Sequence, residues 1–165
     1  MGRDVNAQPG NVWRVAALSM IAPEKFRALI ASDPREAAPW VHAAASVGLI
    51  EGQVRLGRML LTGEGMIRDE EAALEWFARA TERGDADAQN MLGRCHECGW
   101  GTKPDASAAA QWYARAAEAD HAWAQYNLGH LLLDGNGVAR DAAAAFGWYK
   151  RAADQGHERA MSLVG

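Results

Sequence analysis

From residue 52 onward the apolar positions of this chain fall at three- and four-residue spacings, in blocks separated by glycine and aspartate. That spacing is the mark of helices with one buried face. No apolar–polar alternation long enough for a strand interrupts it. The blocks also repeat: Trp40, Trp76, Trp112 and Trp148 stand 36 residues apart, and Gly57, Gly93, Gly129 and Gly165 keep the same period. A fixed period of this size marks a chain built by stacking one supersecondary unit. Such chains present a continuous surface rather than a single catalytic cleft.

Stacked at its period, the chain shows three full units, starting at Gly52, Ala88 and Ala124. Each opens with a helical block containing Leu-Gly (Leu56-Gly57, Leu92-Gly93, Leu128-Gly129). A Gly-x-Gly follows at Gly63/Gly65, Gly99/Gly101 and Gly135/Gly137. Glycine accepts the positive φ of a helix C-cap, so this motif ends the first helix. Asp69, Asp105 and Asp141 are natural N-caps for the second helix. That helix carries an aromatic pair (Trp76-Phe77, Trp112-Tyr113, Trp148-Tyr149) and closes at Gly84, Asp120 and Gly156. A glycine inside the first helix costs about 1 kcal/mol against alanine. Its return at every period predicts a close helix approach. The tryptophan row is expected to fill the opposite face as core, so that Trp112→Ala costs ~3–5 kcal/mol.

The pattern Ala-x-x-x-Leu-Gly, Gly-x-Gly, Asp, Trp-Tyr, Ala-Ala, Gly resembles the Sel-1-like repeat, a relative of the tetratricopeptide repeat. The third unit carries it most fully, with Ala124, Leu128-Gly129, Gly135, Gly137-Val138, Asp141, Trp148-Tyr149, Ala152-Ala153, Gly156 and Ala160. The resemblance implies an all-α fold, a right-handed α-solenoid of antiparallel helix pairs with 36-residue repeats. It implies a non-enzymatic adaptor or regulatory scaffold.

The ends depart from the pattern. Asp33, Trp40, Ala44-Ala45 and Gly48 hold the phase of a second helix, but Pro39 inside it does not fit. Residues 11–50 are read as one degenerate unit of N-terminal capping helices, and residues 1–10 as a disordered tail. Residues 51–165 are then three repeats plus a partial C-terminal capping helix, whose Met161, Leu163 and Val164 leave an incompletely covered edge. That edge could support weak homo-oligomerisation.

Composition narrows the function. Apolar residues at 49% and charged residues at 23% fit a globular chain and argue against disorder. A net charge of −4 without any Lys/Arg run gives no drive toward nucleic acid. The apolar stretch from Val15 to Ala22 is too short for a membrane span and lacks the charge pattern of a signal peptide, so a cytoplasmic protein is expected.

Cys95-His96-Glu97-Cys98 is the most tempting chemical motif, since a Cys-x-x-Cys can be redox active or supply half a zinc site. The repeat weighs against it. Cys95 aligns with Met59 and Leu131, an apolar slot, and no second pair completes four ligands. A metal- or redox-responsive protein using Cys95 and Cys98 is the alternative reading, and no cofactor is expected. His121 and His157 lie one period apart, too far for shared metal ligation. The Gly-x-Gly loops are not phosphate cradles, because Arg68, Pro104 or Arg140 stands where a dinucleotide fingerprint has its third glycine. Gly-x-Ser-x-Gly, His-Glu-x-x-His and Ser-x-x-Lys are absent. Some secreted relatives of the resembled family are linked to β-lactams, but they carry cysteine pairs in most units. An enzyme is not expected.

If the chain follows the tetratricopeptide arrangement, the residue after Leu-Gly points into a concave groove. Those residues are Arg58, Arg94 and His130. Val54, Asn90 and Tyr126 line the same groove, with Leu61, Glu97 and Leu133 one turn further on. The expected partner is a protein or peptide segment with acidic groups against Arg58 and Arg94 and an apolar anchor near Tyr126 and Leu133. Glu97 lies within a turn of Arg94, so an internal ion pair is the competing reading.

Overall fold

The computed structural model describes residues 11–165, and the tail expected at residues 1–10 lies outside them. Ten helices are present among the described residues: α1 (Asn11–Leu18), α2 (Pro23–Ile30), α3 (Pro34–Ser46), α4 (Ile50–Thr62), α5 (Glu70–Thr81), α6 (Ala86–Cys98), α7 (Ala106–Glu118), α8 (Ala122–Asp134), α9 (Ala142–Asp154) and α10 (Glu158–Val164). No strand occurs among them. The chain forms two compact units, divided between Arg79 and Ala80.

The predicted punctuation is where the helices break. Gly63, Gly99 and Gly135 are left-handed C-caps of α4, α6 and α8. The carboxylates of Asp69, Asp105 and Asp141 accept from the N–H of Ala72, Ala108 and Ala144, each at 2.9 Å. The backbone N–H of the same aspartates returns to the carbonyls of Leu60, His96 and Leu132 at 2.7–2.8 Å. Each loop is therefore pinned to the helix it leaves, and the next helix starts antiparallel to it. Asp120 takes φ +60° where the other units have glycine.

In the first unit α3 packs on α4, and α1 and α2 pack on α3. Phe26, Ile30, Val41, Leu56, Met59 and Trp76 form its core. Residues 11–50 hold three helices rather than the one helix pair expected. Asp33 caps α3 by accepting from Arg35 N–H at 2.9 Å, and Gly48 has φ +82°, as the phase predicts. Pro39 lies inside α3 without ending it. It removes one ladder hydrogen bond, and the buried Ala37, Val41, Ala44 and Ala45 hold the helix through tertiary packing.

In the second unit α6 packs with α7, α7 with α8, α8 with α9, and α9 with α10. The close approach predicted at each Leu-Gly is present, and its partner is the second member of the aromatic pair. A Cβ built on Gly57, Gly93 or Gly129 would stand 2.6 Å from the ring of Phe77, Tyr113 or Tyr149. Phe77 and Tyr113 are fully buried and Tyr149 nearly so. This corrects the tryptophan row as the uniform core. Trp76 is buried, but Trp112 and Trp148 are only half-buried. An arginine one turn on covers each ring: Arg79 over Trp76 at 4.5 Å, Arg115 over Trp112 at 4.7 Å and Arg151 over Trp148 at 4.6 Å. Trp40 has Arg14 at 5.8 Å instead.

The second glycine of Gly-x-Gly has a role that capping does not require. A Cβ at Gly65 would collide with the Pro34 carbonyl oxygen at 2.3 Å, and one at Gly137 with Ala106 backbone at 2.2 Å. Each loop thus rests on the start of the second helix of the preceding repeat. A side chain there would separate the repeats.

Candidate functional site

The expected contact residues divide between the two units. Arg58 is exposed on α4 in the first, where Val54 and Leu61 of the same helix are buried at 7% and 9% exposure. Those two belong to the core and offer a partner no surface, which corrects their expected role. The periodicity put them one turn from Arg58, but tertiary packing decided which neighbours of an exposed residue stay wet.

On α6 and α8 the remaining residues do come together. Arg94 is exposed, with its guanidinium 5.0 Å from the Trp100 ring centre. His130 lies edge-on to Tyr126 at 4.5 Å and to Tyr149 at 5.4 Å. Leu133 is exposed at the end of α8. Asn90 is 5% exposed and accepts from the Asn127 side-chain amide at 3.1 Å, so it ties α6 to α8 rather than facing a ligand. Glu97 is not the ion-pair partner of Arg94. It accepts a 2.6 Å hydrogen bond from the Tyr113 hydroxyl. Burial and this carboxylate both hold the Tyr113 phenol well above its ordinary pKa.

Sequence reasoning missed an aromatic cluster at the end of the second unit. Trp123, half exposed, meets His157 edge-on at 4.4 Å. Tyr126 stacks on His157 at 4.6 Å with 28° between the planes. His157 and His121 are helix N-caps: their Nδ1 atoms accept from Ala160 and Ala124 N–H, each at 3.2 Å. Alignment with Asp85, the cap of α6, was the available signal. Tyr149 sits beside this cluster, and burial pushes its phenol up to about 12. Its hydroxyl has no hydrogen-bond partner, because the place of Glu97 is taken one period later by Leu133.

Burial divides the Cys-x-x-Cys: Cys95 lies in the core and Cys98 at the surface, and neither is in a disulfide. Burial and the neighbouring Glu97 raise the Cys98 pKa, which opposes thiolate formation. Among the described residues no group of three His, Cys, Asp or Glu side chains is placed to hold a metal ion. No helix among them is long and apolar enough to cross a membrane.

A Sel1 repeat family model matches residues 50–85, 86–121 and 124–157. The chain belongs to the Sel1 repeat family. Its all-α fold of ~36-residue helix pairs is that of Sel1 solenoids. The first two matched units start at Ile50 and Ala86, two residues before those read from the spacing, and the third starts at the same residue, Ala124. Among solved structures the chain is similar to a Sel1 repeat protein from Oxalobacter formigenes, at 29% identity and TM-score 0.78 over 87% of this chain and 59% of that one. It is similar to c5321, a protective antigen present in uropathogenic Escherichia coli strains displaying an SLR fold, at 29% identity and TM-score 0.81 over 93% of this chain and 35% of that one. It therefore spans less than two thirds of both. Helicobacter pylori cysteine rich protein B, at 22% identity and TM-score 0.63 over 79% of this chain and 94% of that one, shares the fold. No match is found among curated proteins. Sel1 repeat proteins are generally non-enzymatic scaffolds for protein–protein interaction.

Proposed function

We propose that this Sel1 repeat chain is an adaptor or regulatory scaffold that binds a partner segment on the face that α6 and α8 present in the second unit, through Arg94, His130, Tyr126 and Leu133. Arg58, exposed on α4, offers a contact of the first unit by itself. The observation that carries the reading is the pairing of the exposed Arg94 of α6 with the half-buried Trp100 just beyond that helix, and of the half-buried His130 with Tyr126 on α8. Arg94 is held over Trp100, and His130 against Tyr126. Arginine and tyrosine are enriched in protein-binding hot spots, and a guanidinium fixed by a ring loses less freedom on binding. The partner segment carries acidic groups, which arginine's fork holds in pairs. Its recognition is non-covalent and needs no cofactor. A reducing compartment such as the cytoplasm suits the two free thiols.

The test is affinity capture from native lysate with wild type, Arg58→Glu/Arg94→Glu and His130→Glu side by side. The expected result is one protein retained by wild type and lost from both variants. Equal retention by all three would place binding off this face. A second reading rests on α10, where Met161 and Leu163 are half exposed: self-association through that edge. Sedimentation showing a concentration-dependent mass that Met161→Glu abolishes would establish it.

A further inference from the structure

The N-caps of α6, α8 and α10 stand one period apart, yet they are chemically different. Asp85 caps α6, His121 caps α8 and His157 caps α10. A carboxylate remains an acceptor until it is protonated well below neutral pH. An imidazole Nδ1 stops accepting when the ring takes up a proton, since both nitrogens then carry hydrogen. Two of the three caps are therefore of a kind that a proton on the ring abolishes.

Their surroundings separate those two. The second nitrogen of His121, Nε2, has the Asp87 carboxylate at 3.6 Å, a counter-charge for an imidazolium. One period later Trp123 occupies the place of Asp87. His157 is only 7% exposed, and its Nε2 is buried with no hydrogen-bond partner. The groups that face it are Tyr126 and Trp123 of α8, with Tyr149 of α9 behind Tyr126. On its own helix are Glu158 and Arg159, and the arginine lies 6.0 Å from the Trp123 ring. No carboxylate stands against Nε2. A proton on His157 would turn the cap's acceptor into a donor aimed at Ala160 N–H, at the positive end of the helix. Ring stacking on Tyr126 returns part of that loss.

α10 spans seven residues, Glu158–Val164, too few for a helix to persist alone in water, and it packs on α9. We propose that His157 is a pH latch: the neutral ring caps α10 and holds it against α9, and the protonated ring releases α10. The burial that lowers its pKa sets the latch to open on the acid side of ordinary histidine. The latch stands whether or not the α6–α8 face takes a partner.

The test is NMR of the whole chain, following the Ala160 amide and the His157 imidazole nitrogens between about pH 7.5 and pH 4.5, a range that brackets the histidine charge change. In wild type the Ala160 amide should shift with the same midpoint as His157. Its exchange protection, corrected for intrinsic rate, should drop by about 10-fold or more on the acid side, as expected for a locally opening element. His157→Asp, which installs the cap of α6, should keep Ala160 protected across this range. His121→Asp should leave the α10 midpoint where it is. An Ala160 amide that ignores the His157 midpoint overturns the latch from wild-type data alone. Equal loss of protection in wild type and His157→Asp overturns it as well.

Discussion

A Cβ on Gly93 would stand 2.6 Å from Cδ1 and Cε1 of Tyr113, a ring with no exposed surface. The aromatic residue of one helix lies against the bare backbone of its neighbour, and the same contact recurs at Gly57 with Phe77 and at Gly129 with Tyr149. It is the repeated joint of each helix pair.

Gly93→Ala should therefore destabilise the fold. Helix propensity favours alanine by about 1 kcal/mol, but overpacking a closed core costs about 1–3 kcal/mol, and the Tyr113 ring has nowhere to move. A net loss of about 1–2 kcal/mol is expected by urea denaturation. Gly147→Ala is the control. Gly147 lies in α9 with nothing within 4 Å of its would-be Cβ, so that variant should gain about 0.5–1 kcal/mol.

Tyr113 should outweigh Trp112. Tyr113→Ala removes a fully buried ring and should cost ~3–5 kcal/mol. Trp112→Ala, expected at that level from spacing alone, removes a half-buried ring under Arg115, and about 2 kcal/mol is the revised expectation. Tyr113→Phe keeps the ring but loses the bond to Glu97, and about 1 kcal/mol should follow. Equal midpoints for Trp112→Ala and Tyr113→Ala would contradict this ranking.

The thiols should react in two classes. Cys98 is exposed and Cys95 buried, so a maleimide should label one cysteine in the native protein and both in denaturant. Labelling should be slow near neutral pH, because the Cys98 pKa is raised. Fast labelling of both under native conditions would place Cys95 outside the core.

Stability should fall on acidification. Burial lowers the His157 pKa in the folded state, so the unfolded chain binds a proton first as pH drops. Its contribution is intact above the unfolded value of about 6.5 and is lost as pH falls from there toward the folded value. Thermal midpoints should decline from about pH 6.5 downward, less steeply in His157→Asp. The two buried phenols have the opposite sense. Tyr149, pushed up to about 12, stabilises the fold below pH ~10 and loses that contribution as pH rises. Absorbance of phenolate should then appear together with unfolding.

Much of this architecture is written in the spacing. The three- and four-residue apolar pattern, the left-handed glycines and the capping aspartates are local devices, and each acts within a few residues of itself. They set where α4 to α9 begin and end, and the 36-residue period marks the units as copies of one design. The close approach at Gly93 was legible for the same reason: a helix-weakening residue that returns every period must serve packing.

The tertiary structure decided what faces what. Spacing cannot say which of two adjacent aromatics, Trp112 or Tyr113, turns inward, because both lie near the apolar stripe and only the glycine groove opposite selects Tyr113. It cannot say that Val54, Leu61 and Asn90 are covered while Arg94 is not, since burial depends on how helices pack, as where Asn127 meets Asn90 across 37 residues of sequence. Nor can it place Tyr126 on His157 or the Tyr113 hydroxyl on Glu97. Those contacts join different helices, and they exist only once the helices have packed.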